Sequence, residues 1–477
     1  MYQVIVIGGG VIGGALLREL TKYCLSVCLL EKSADVCMGQ SRANSGIVHA
    51  GFDAKPGTLK AKFNVSGNRM MAPLCKELGV KYENNGSLVV AFDEAQKKTL
   101  EELKARGETN GVEGLYIVDG ERLRAMEKNI SDFAVAALVA PTGGIVCPYE
   151  LTIACIGNAM DNGAALYTNF EVVRAEKTQS GYKVYSAKGE CVEGEIVVNC
   201  AGAGGGEVAK AFQDESIEIK GRKGEYILLD QDCGDFASHT LFFTPTEKGK
   251  GILVSPTVDR NILLGPTAQE CDKDDNTTTQ QGLAEVVQKA NEMCKNVPLF
   301  HAITSFCGVR TYTDKHDFII EESKTAENLI HVVGIESPGL TSAPAIAQYV
   351  VEELVGKKIA LTKRKDFNGR RTADHFFHRL TDEEKNELIR KDPAYGNVVC
   401  RCEQITEGEI VRAVHANPPA TTVDAVKRRT RAGMGRCQGG FCMPSVAEIL
   451  SRELGVPLEK VNKSDEGSYL VTGVTKG

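Results

Sequence analysis

Apolar residues in the first thirty positions follow the order of a strand, a helix and a second strand. Gln3 to Ile7 is a short apolar run, Val11 to Leu20 has apolar positions at helical spacing, and Ser26 to Leu30 is again strand-like. Runs of this length and order are typical of a βαβ unit, in which a helix joins two parallel strands. The chain is therefore predicted to open with an α/β domain.

Short β-rich segments dominate two later regions, residues 80–92 and 226–264, and turns such as TEKGKG separate them. This pattern predicts a mainly antiparallel sheet that forms a second lobe. Segments typical of the first lobe return at 193–206 and 327–354, so the two lobes are expected to alternate along the chain. The predicted ranges are 1–79, 145–220 and 305–362 for the first lobe, and 80–144 and 221–304 for the second.

The C-terminal quarter differs in composition from the two lobes. Residues 363–395 are highly charged and are predicted to be a linker with one short helix. A small, α-rich module that carries paired cysteines is expected at 396–455, followed by a tail at 456–477.

Composition limits the classes of function. A chain of 477 residues with 42% hydrophobic content is long enough for two or three domains with apolar cores. The net charge of -7, with scattered Lys and Arg, gives no reason to expect nucleic acid as a partner, so a small anionic ligand would need a local cluster of positive groups. No segment is predicted to cross a membrane and no secretory leader is evident, which indicates a cytoplasmic protein. Peripheral docking at the inner face of the membrane remains open.

The sequence GGGVIG at positions 8–13 fits the pattern G-x-G-x-x-G between the first strand and the helix. Gly8 is expected to allow the tight turn, Gly10 the approach of a pyrophosphate, and Gly13 close packing of the helix on the strand. Glu31 ends the second strand at the spacing expected of a carboxylate that binds ribose hydroxyls. These residues predict a dinucleotide site at the positive end of the helix.

The segment SRANSGIVHAG, which starts at Ser41, offers many backbone donors and one histidine, His49. With PGTLKA and GN further on, it resembles the FAD-dependent oxidoreductases of the D-amino acid oxidase superfamily. Within that superfamily the likeness is greatest to L-2-hydroxyglutarate oxidase-like enzymes and to FAD-dependent glycerol-3-phosphate oxidases and dehydrogenases. It covers roughly residues 1–360 and implies a Rossmann-type domain that binds FAD non-covalently, interleaved with a mainly antiparallel substrate domain.

The resemblance also implies a set of FAD contacts, among them VVNCAGAGG at 197–205 and GIESPGLT at 334–341. The expected cofactor-binding residues are Gly8, Gly10, Val11, Ile12, Gly13, Glu31, Lys32, Ser41, Arg42, Asn44, Ser45, Gly46, His49, Val172, Ala201, Gly202, Gly334, Gly339, Leu340 and Thr341.

The substrate pocket is expected to contain a base and an anion-binding group. Oxidation of an alcohol needs a proton acceptor, and imidazole titrates near neutral pH, so His49 is the leading candidate. The alternative for His49 is that it only packs against the flavin and donates a hydrogen bond. By resemblance, Arg310 binds the substrate anion; a structural salt bridge is the alternative.

Lysines in the turn at 246–251 are further candidates, because that region looks more like the glycerol-3-phosphate enzymes than the hydroxyglutarate ones. Lys250, with Lys248 in reserve, is expected to add positive charge for a phosphate dianion and is included with the catalytic residues. A lysine exposed in a surface turn is the alternative. Ser337, by the same resemblance, is a further substrate contact.

Four cysteines stand in a C-x-C and a C-x4-C pair separated by thirty-four residues: Cys400, Cys402, Cys437 and Cys442. Four thiolates can hold a 2Fe-2S cluster or a structural zinc. The surrounding sequences VVCRCEQIT and VKRRTRAGMGRCQGGFC resemble the bacterioferritin-associated ferredoxin-like 2Fe-2S module. Lys427, Arg428, Arg429 and Arg431 are either charges that raise the cluster potential or a solvated helix face.

Together these resemblances imply an FAD-dependent dehydrogenase that oxidises sn-glycerol 3-phosphate by hydride transfer. Electrons are expected to leave through the cluster to a partner redox subunit or a quinone-linked, membrane-anchored acceptor. One rival is oxidation of L-2-hydroxyglutarate or another hydroxy or amino acid. Another is a non-catalytic subunit that serves electron transfer or sensing.

Overall fold

The computed structural model describes residues 1–245, 251–371 and 377–473. The first of its two large sheets is mainly parallel. Tyr2–Ile7 lies between Cys191–Asn199 and Val27–Leu30, and all three run parallel. The sheet's other strands are Ala165–Tyr167 and Leu329–Val333, which are parallel to their neighbours, and Val172–Lys177, Tyr182–Ser186 and Ile319–Glu322, which are antiparallel. Residues 4–7 and 27–30 at the parallel centre are buried, as a sheet covered on both faces requires.

The second large sheet is mainly antiparallel. Its strands are Ser87–Ala91, Tyr116–Asp119, Ala136–Ala140, Lys220–Leu229, Thr240–Phe243, Leu253–Pro256, Ile262–Gly265, Gln269–Cys271 and Ala302–Tyr312. Ala302–Tyr312 pairs with Lys220–Leu229 along its length, so the predicted lobe boundary at residue 305 falls inside a strand of this sheet. Ser87–Ala91 and Thr240–Phe243 are the one parallel pair among the described strands of this sheet.

Helices cover the first sheet and flank the second. In chain order the α-helices of the two lobes are Val11–Thr21, Leu59–Leu78, Glu94–Thr109, Gly120–Met126, Pro148–Asp161, Gly205–Ala211, Gln280–Met293 and Gly339–Tyr349. The helices Val11–Thr21, Leu59–Leu78 and Pro148–Asp161 form one apolar core with the parallel strands. A small sheet of Ile47–Val48, Tyr82–Glu83 and Gly144–Val146 connects the two lobes.

The C-terminal module has a separate apolar core. It contains the short strands Val398–Cys400 and Ile405–Thr406 and the helices Glu407–His415, Val423–Thr430 and Met443–Leu454. Thr406 and Glu409 form a capping box at the start of Glu407–His415, which the sequence T-x-x-E favours. The charged segment before the module contains the helix Asp382–Lys391.

The fold class predicted from the sequence is confirmed. The βαβ opening comprises Tyr2–Ile7, Val11–Thr21 and Val27–Leu30, each within one residue of its predicted bounds at either end. Among the described residues, no helix combines the length and hydrophobicity needed to cross a bilayer.

Candidate active site and cluster module

Residues of both large sheets line one cavity of about 990 Å³. Most of the predicted site residues line it: Gly8, Gly10, Val11, Ile12, Glu31, Lys32, Ser41, Arg42, Asn44, Ser45, His49, Val172, Ala201, Gly202, Arg310, Ser337, Gly339 and Leu340. Four predicted residues, Gly13, Gly46, Gly334 and Thr341, are not among the lining residues. Lys248 and Lys250 lie outside the described residues.

The glycine-rich turn has no room for side chains at two of its positions. A Cβ atom on Gly8, whose φ is +110°, would lie 2.5 Å from the carbonyl oxygen of Cys200. A Cβ on Gly13 would lie 2.0 Å from the carbonyl oxygen of Gly8. Gly13 therefore lets the helix pack directly on the turn, which explains why it lies behind the cavity wall.

Glu31 is buried at the end of its strand and fixes the same turn. One carboxylate oxygen accepts a hydrogen bond of 2.7 Å from the backbone N–H of Gly9, and the other accepts one of 2.9 Å from that of Ser33. Burial raises the pKa of Glu31, and the two backbone hydrogen bonds partly offset that rise. A carboxylate has about four acceptor positions, so Glu31 can still accept a hydrogen bond from a ribose hydroxyl.

Two buried polar atoms at the cavity have no partner in the described structure, Oε1 of Gln40 and Nε of Arg310. Buried polar atoms are nearly always hydrogen-bonded, so unpaired ones in a cavity wall point to a polar ligand. The cavity is at the upper end of the usual size range for ligand sites. The turn, the carboxylate and the cavity thus fit a dinucleotide cofactor.

His49 is held by the segment that starts the helix Gly339–Tyr349. Its backbone N–H donates a hydrogen bond of 2.9 Å to Oγ1 of Thr341, and its Nε2 lies 3.3 Å from Oγ of Ser337. The ring also packs against Phe242, with 5.9 Å between ring centroids. Thr341 is fully buried, so it acts on the site by positioning His49 instead of lining the cavity.

Arg310 donates from one terminal nitrogen to two backbone carbonyl oxygens, at 2.5 Å to Thr267 and 3.4 Å to Lys223. Within the described part of the chain it has no carboxylate partner, so the structural salt bridge considered above is not found there. A guanidinium without a carboxylate in a cavity wall is suited to bind an anionic ligand.

The four cysteines of the C-terminal module come together as two pairs. The sulfurs of Cys402 and Cys437 lie 3.7 Å apart, and the thiol of Cys442 hydrogen-bonds Cys400, which lowers the pKa of Cys400. Cys400 and Cys442 are buried, whereas Cys402 is exposed and Cys437 partly so. One edge of a bound cluster would therefore face the protein and the other the solvent.

The pairing favours two metal ions over one. A tetrahedral zinc with Zn–S bonds of about 2.3 Å would bring all four sulfurs to about 3.8 Å from one another. Across the described residues, no three of these sulfurs lie within 4.8 Å of one another. Two thiolates for each of two irons match the observed geometry of the site better.

Comparisons with known proteins agree with both sites. Residues 3–353 match the family "FAD dependent oxidoreductase", and residues 398–452 match the "BFD-like [2Fe-2S] binding domain". The chain belongs to the FAD-dependent oxidoreductase family. This confirms the family, the type of enzyme and both cofactors predicted from the sequence.

This oxidoreductase is similar to enzymes that act on glycerol 3-phosphate and to an L-2-hydroxyglutarate dehydrogenase. A glycerol 3-phosphate dehydrogenase of Caloramator mitchellensis is 49% identical over 477 residues, which is 100% of this chain and 99% of the relative. The structure of the L-alpha-glycerophosphate oxidase of Mycoplasma pneumoniae with FAD bound has a TM-score of 0.74 and 30% identity, and covers 78% of this chain and 98% of that one. A mitochondrial L-2-hydroxyglutarate dehydrogenase of Bos taurus is 29% identical over 56% of this chain and 61% of its own length.

Several polar residues of the oxidoreductase cavity had not been predicted. The hydroxyl of Tyr226 lies 3.4 Å from Oγ of Ser45, and its ring stacks on Phe306 with 4.8 Å between centroids. Lys60 and Glu336 form an ion pair of 2.6 Å in the cavity wall. Tyr226 lies in a β-rich run with no motif, so the sequence carried no local signal for it.

The arginines near the cluster are not a solvated helix face, which corrects one of the two interpretations above. Arg428, Arg429 and Arg431 are all buried and paired with carboxylates. Arg431 donates to Asp259 at 2.6 Å and to Glu403 at 2.7 Å, and so links the cluster module to the second lobe. Because each arginine is ion-paired, the net charge they add near the cluster is small.

Proposed function

We propose that this oxidoreductase oxidises sn-glycerol 3-phosphate to dihydroxyacetone phosphate and passes the electrons on through its 2Fe-2S cluster. The observation that carries the proposal is Arg310, whose guanidinium shares a cavity with His49 and has no carboxylate partner among the described residues. The relative from Caloramator mitchellensis, which aligns over both cofactor regions, bears the name glycerol 3-phosphate dehydrogenase.

Each residue has a separate role in the proposed reaction. Arg310 binds the phosphate group and orients the substrate, which brings its secondary hydroxyl toward His49. His49 accepts the proton of that hydroxyl at Nε2, so the substrate hydroxyl takes the place of Ser337, whose Oγ lies 3.3 Å from the same nitrogen. Bound FAD supplies the acceptor for the hydride that leaves the carbon atom. Phe242 lines the cavity beside His49 and packs against the imidazole ring.

The charge of the substrate favours a second cation beside Arg310. A phosphate dianion carries more charge than one guanidinium neutralises, and a carboxylate does not. Lys250, with Lys248 in reserve, is therefore proposed as the second phosphate-binding group. The proposed FAD contacts are the predicted cofactor-binding residues that line the cavity. The other four predicted cofactor-binding residues, Gly13, Gly46, Gly334 and Thr341, would support these contacts without lining the cavity.

The solvent-facing edge of the cysteine site supports an exit route for electrons. A 2Fe-2S cluster accepts one electron at a time, so the two electrons of each turnover leave singly. Cys402 is exposed, which allows an acceptor to approach that edge. We propose a partner redox subunit or a quinone-linked acceptor, with the chain in the cytoplasm or peripheral at the inner face of the membrane.

The proposal is tested by adding candidate substrates to the oxidised holoenzyme without oxygen and recording the visible spectrum. Loss of the flavin and cluster absorbance with sn-glycerol 3-phosphate, and with no other candidate at the same rate, is the expected result. Faster bleaching by L-2-hydroxyglutarate or an amino acid would identify that compound as the substrate, because the guanidinium of Arg310 can bind a carboxylate as well as a phosphate. If no candidate bleaches the flavin, the protein would instead be a non-catalytic subunit.

Reaction with oxygen separates a dehydrogenase from an oxidase. We expect the reduced enzyme to be reoxidised by air much more slowly than it turns over with an artificial electron acceptor. Reoxidation by air at the turnover rate would overturn the assignment of a dedicated acceptor.

A further inference from the structure

Asp35 of the first lobe forms buried ion pairs with the C-terminal module at 396–455, which is called the cluster module here. Its carboxylate accepts hydrogen bonds of 2.9 and 2.8 Å from Arg429 and one of 2.5 Å from Arg428. The side chains of all three residues are at most 5% exposed. Both arginines belong to the helix Val423–Thr430, almost four hundred residues away in sequence.

The segment that carries Asp35 also holds the glycine-rich turn. Glu31 accepts the backbone N–H of Gly9 at 2.7 Å, and the backbone N–H of Cys37 donates to the carbonyl oxygen of Gly9 at 2.9 Å. Asp35 lies between these two attachments. The seven-residue segment 31–37 therefore links the glycine-rich turn to the helix Val423–Thr430 of the cluster module.

Two positive groups without a carboxylate partner among the described residues, one from each side of this contact, lie near Arg428. Lys427 and Arg42 have no carboxylate partner in the described structure, and Nε of Arg428 is buried with no partner there. Desolvation lowers the pKa of Lys427, and the charges of Lys463, Arg428 and Arg42 lower it further despite Asp424. Arg42 lines the cofactor cavity, so an anion beside it would relieve this repulsion.

We propose that the cluster module supports the FAD-binding site from outside the cavity. The helix Val423–Thr430 fixes Asp35, and Asp35 positions the segment 31–37 on the glycine-rich turn. Asp35, Arg428 and Arg429 are positioning residues in this arrangement. Binding of FAD and docking of the module are then coupled, and the coupling acts in both directions.

The first test compares two identical substitutions in the full-length chain. Asp35→Asn removes the buried carboxylate. Asp161→Asn is the matched control, because Asp161 also joins the two regions, through Arg371 and Asn417, but at an exposed position away from the glycine-rich turn. We expect the Kd of FAD, measured by quenching of flavin fluorescence, to rise about 5- to 150-fold in Asp35→Asn, the usual range of such coupling, and to stay unchanged in Asp161→Asn.

Cluster absorbance of both variants is recorded in parallel, so that loss of the cluster is not mistaken for loss of FAD. Asp35→Asn protein that contains its cluster and binds FAD like the unaltered chain would overturn the proposal. This readout is independent of the substrate, so it fails or holds separately from the proposed function.

The second test needs no substitution and applies even where Asp35→Asn does not fold. Hydrogen exchange of the unaltered chain is measured by mass spectrometry with and without FAD. We expect FAD to slow exchange in residues 31–37 and also in the helix Val423–Thr430, which does not line the cavity. Slower exchange confined to the cavity, with that helix unchanged, would contradict the coupling.

Discussion

Oγ of Ser337 lies 3.3 Å from Nε2 of His49, at the edge of the cavity that both residues line. The backbone N–H of His49 is bound in turn by Thr341, four residues beyond Ser337. One short segment therefore fixes both the backbone and the ring of the proposed base. Such support keeps the imidazole in the geometry that proton transfer requires.

Replacing His49 is expected to slow the reductive half-reaction strongly. General base catalysis contributes about 10²- to 10⁴-fold, so His49→Ala should lower the rate of flavin bleaching by substrate by that factor. Ser337→Ala, which leaves the base but not its ring contact, should cost about 10-fold or less. Stopped-flow absorbance measures both rates, and the FAD content of each variant is the control. A His49→Ala enzyme with a near-normal rate would leave His49 as a packing residue only.

Replacing Arg310 is expected to weaken substrate binding. Loss of a charged group that pairs with a buried ligand charge costs about 2–5 kcal/mol, so Arg310→Met should lower kcat/KM by about 30-fold or more. Arg222→Met is the matched control, because Arg222 lines the same cavity but is already paired with Glu270 at 2.8 Å. Equal losses in the two variants would show that general positive charge, and not Arg310, binds the substrate.

The cysteine pairs predict which single substitutions remove the cluster. Cys402→Ser and Cys442→Ser each remove one of four ligands, and both should abolish the 2Fe-2S absorbance and the iron content while FAD remains bound. Cys191→Ser is the control, because Cys191 is exposed and belongs to a strand of the first sheet, outside the C-x-C and C-x4-C motifs. Zinc in place of iron in the unaltered protein purified without oxygen would contradict the assignment.

The sequence predicted those parts of the fold that depend on local patterns. The βαβ opening depends on spacing within a few residues, and it is found as expected. The four cysteines instead pair across their two motifs, Cys402 with Cys437 and Cys400 with Cys442, and local spacing does not report that pairing. The contact of Asp35 with Arg429 joins positions almost four hundred residues apart, and the charge run around Arg429 looks solvent-exposed in isolation. Its burial follows from tertiary packing, which no local pattern reports. The role of Thr341 behind the cavity was hidden for the same reason.

Stability is expected to fall on acidification through the buried pair of Asp214 and His331. Burial alone would raise the pKa of Asp214, but hydrogen bonds from Ser216, Ser323 and His331 lower it overall, whereas burial lowers the pKa of His331. Both shifts favour the deprotonated form in the folded state. Their stabilisation is therefore present near neutral pH and is lost as the pH falls below about 6.5 for histidine and about 4 for aspartate.

Asp214→Asn should accordingly lower the thermal midpoint at pH 7 and reduce its further fall between pH 5 and pH 3. The measurement is the midpoint of thermal unfolding by circular dichroism across that range. Lys183→Gln, which changes an exposed ion pair of the same sheet, should leave the acid slope unchanged. An unaltered slope in Asp214→Asn would assign the acid sensitivity to other carboxylates.

The packing of Gly67 against Thr341 links stability to the proposed base. A Cβ atom on Gly67 would lie 2.0 Å from the carbonyl oxygen of Thr341, so Gly67→Ala must push the helix Leu59–Leu78 away from Gly339–Tyr349. Overpacking of this kind costs about 1–3 kcal/mol, and the neighbouring exposed Ser66→Ala should cost nothing measurable. Because Thr341 also binds the backbone of His49, Gly67→Ala should lower both the thermal midpoint and the rate of flavin bleaching. A lower midpoint with an unchanged rate would mean that His49 keeps its position without Thr341.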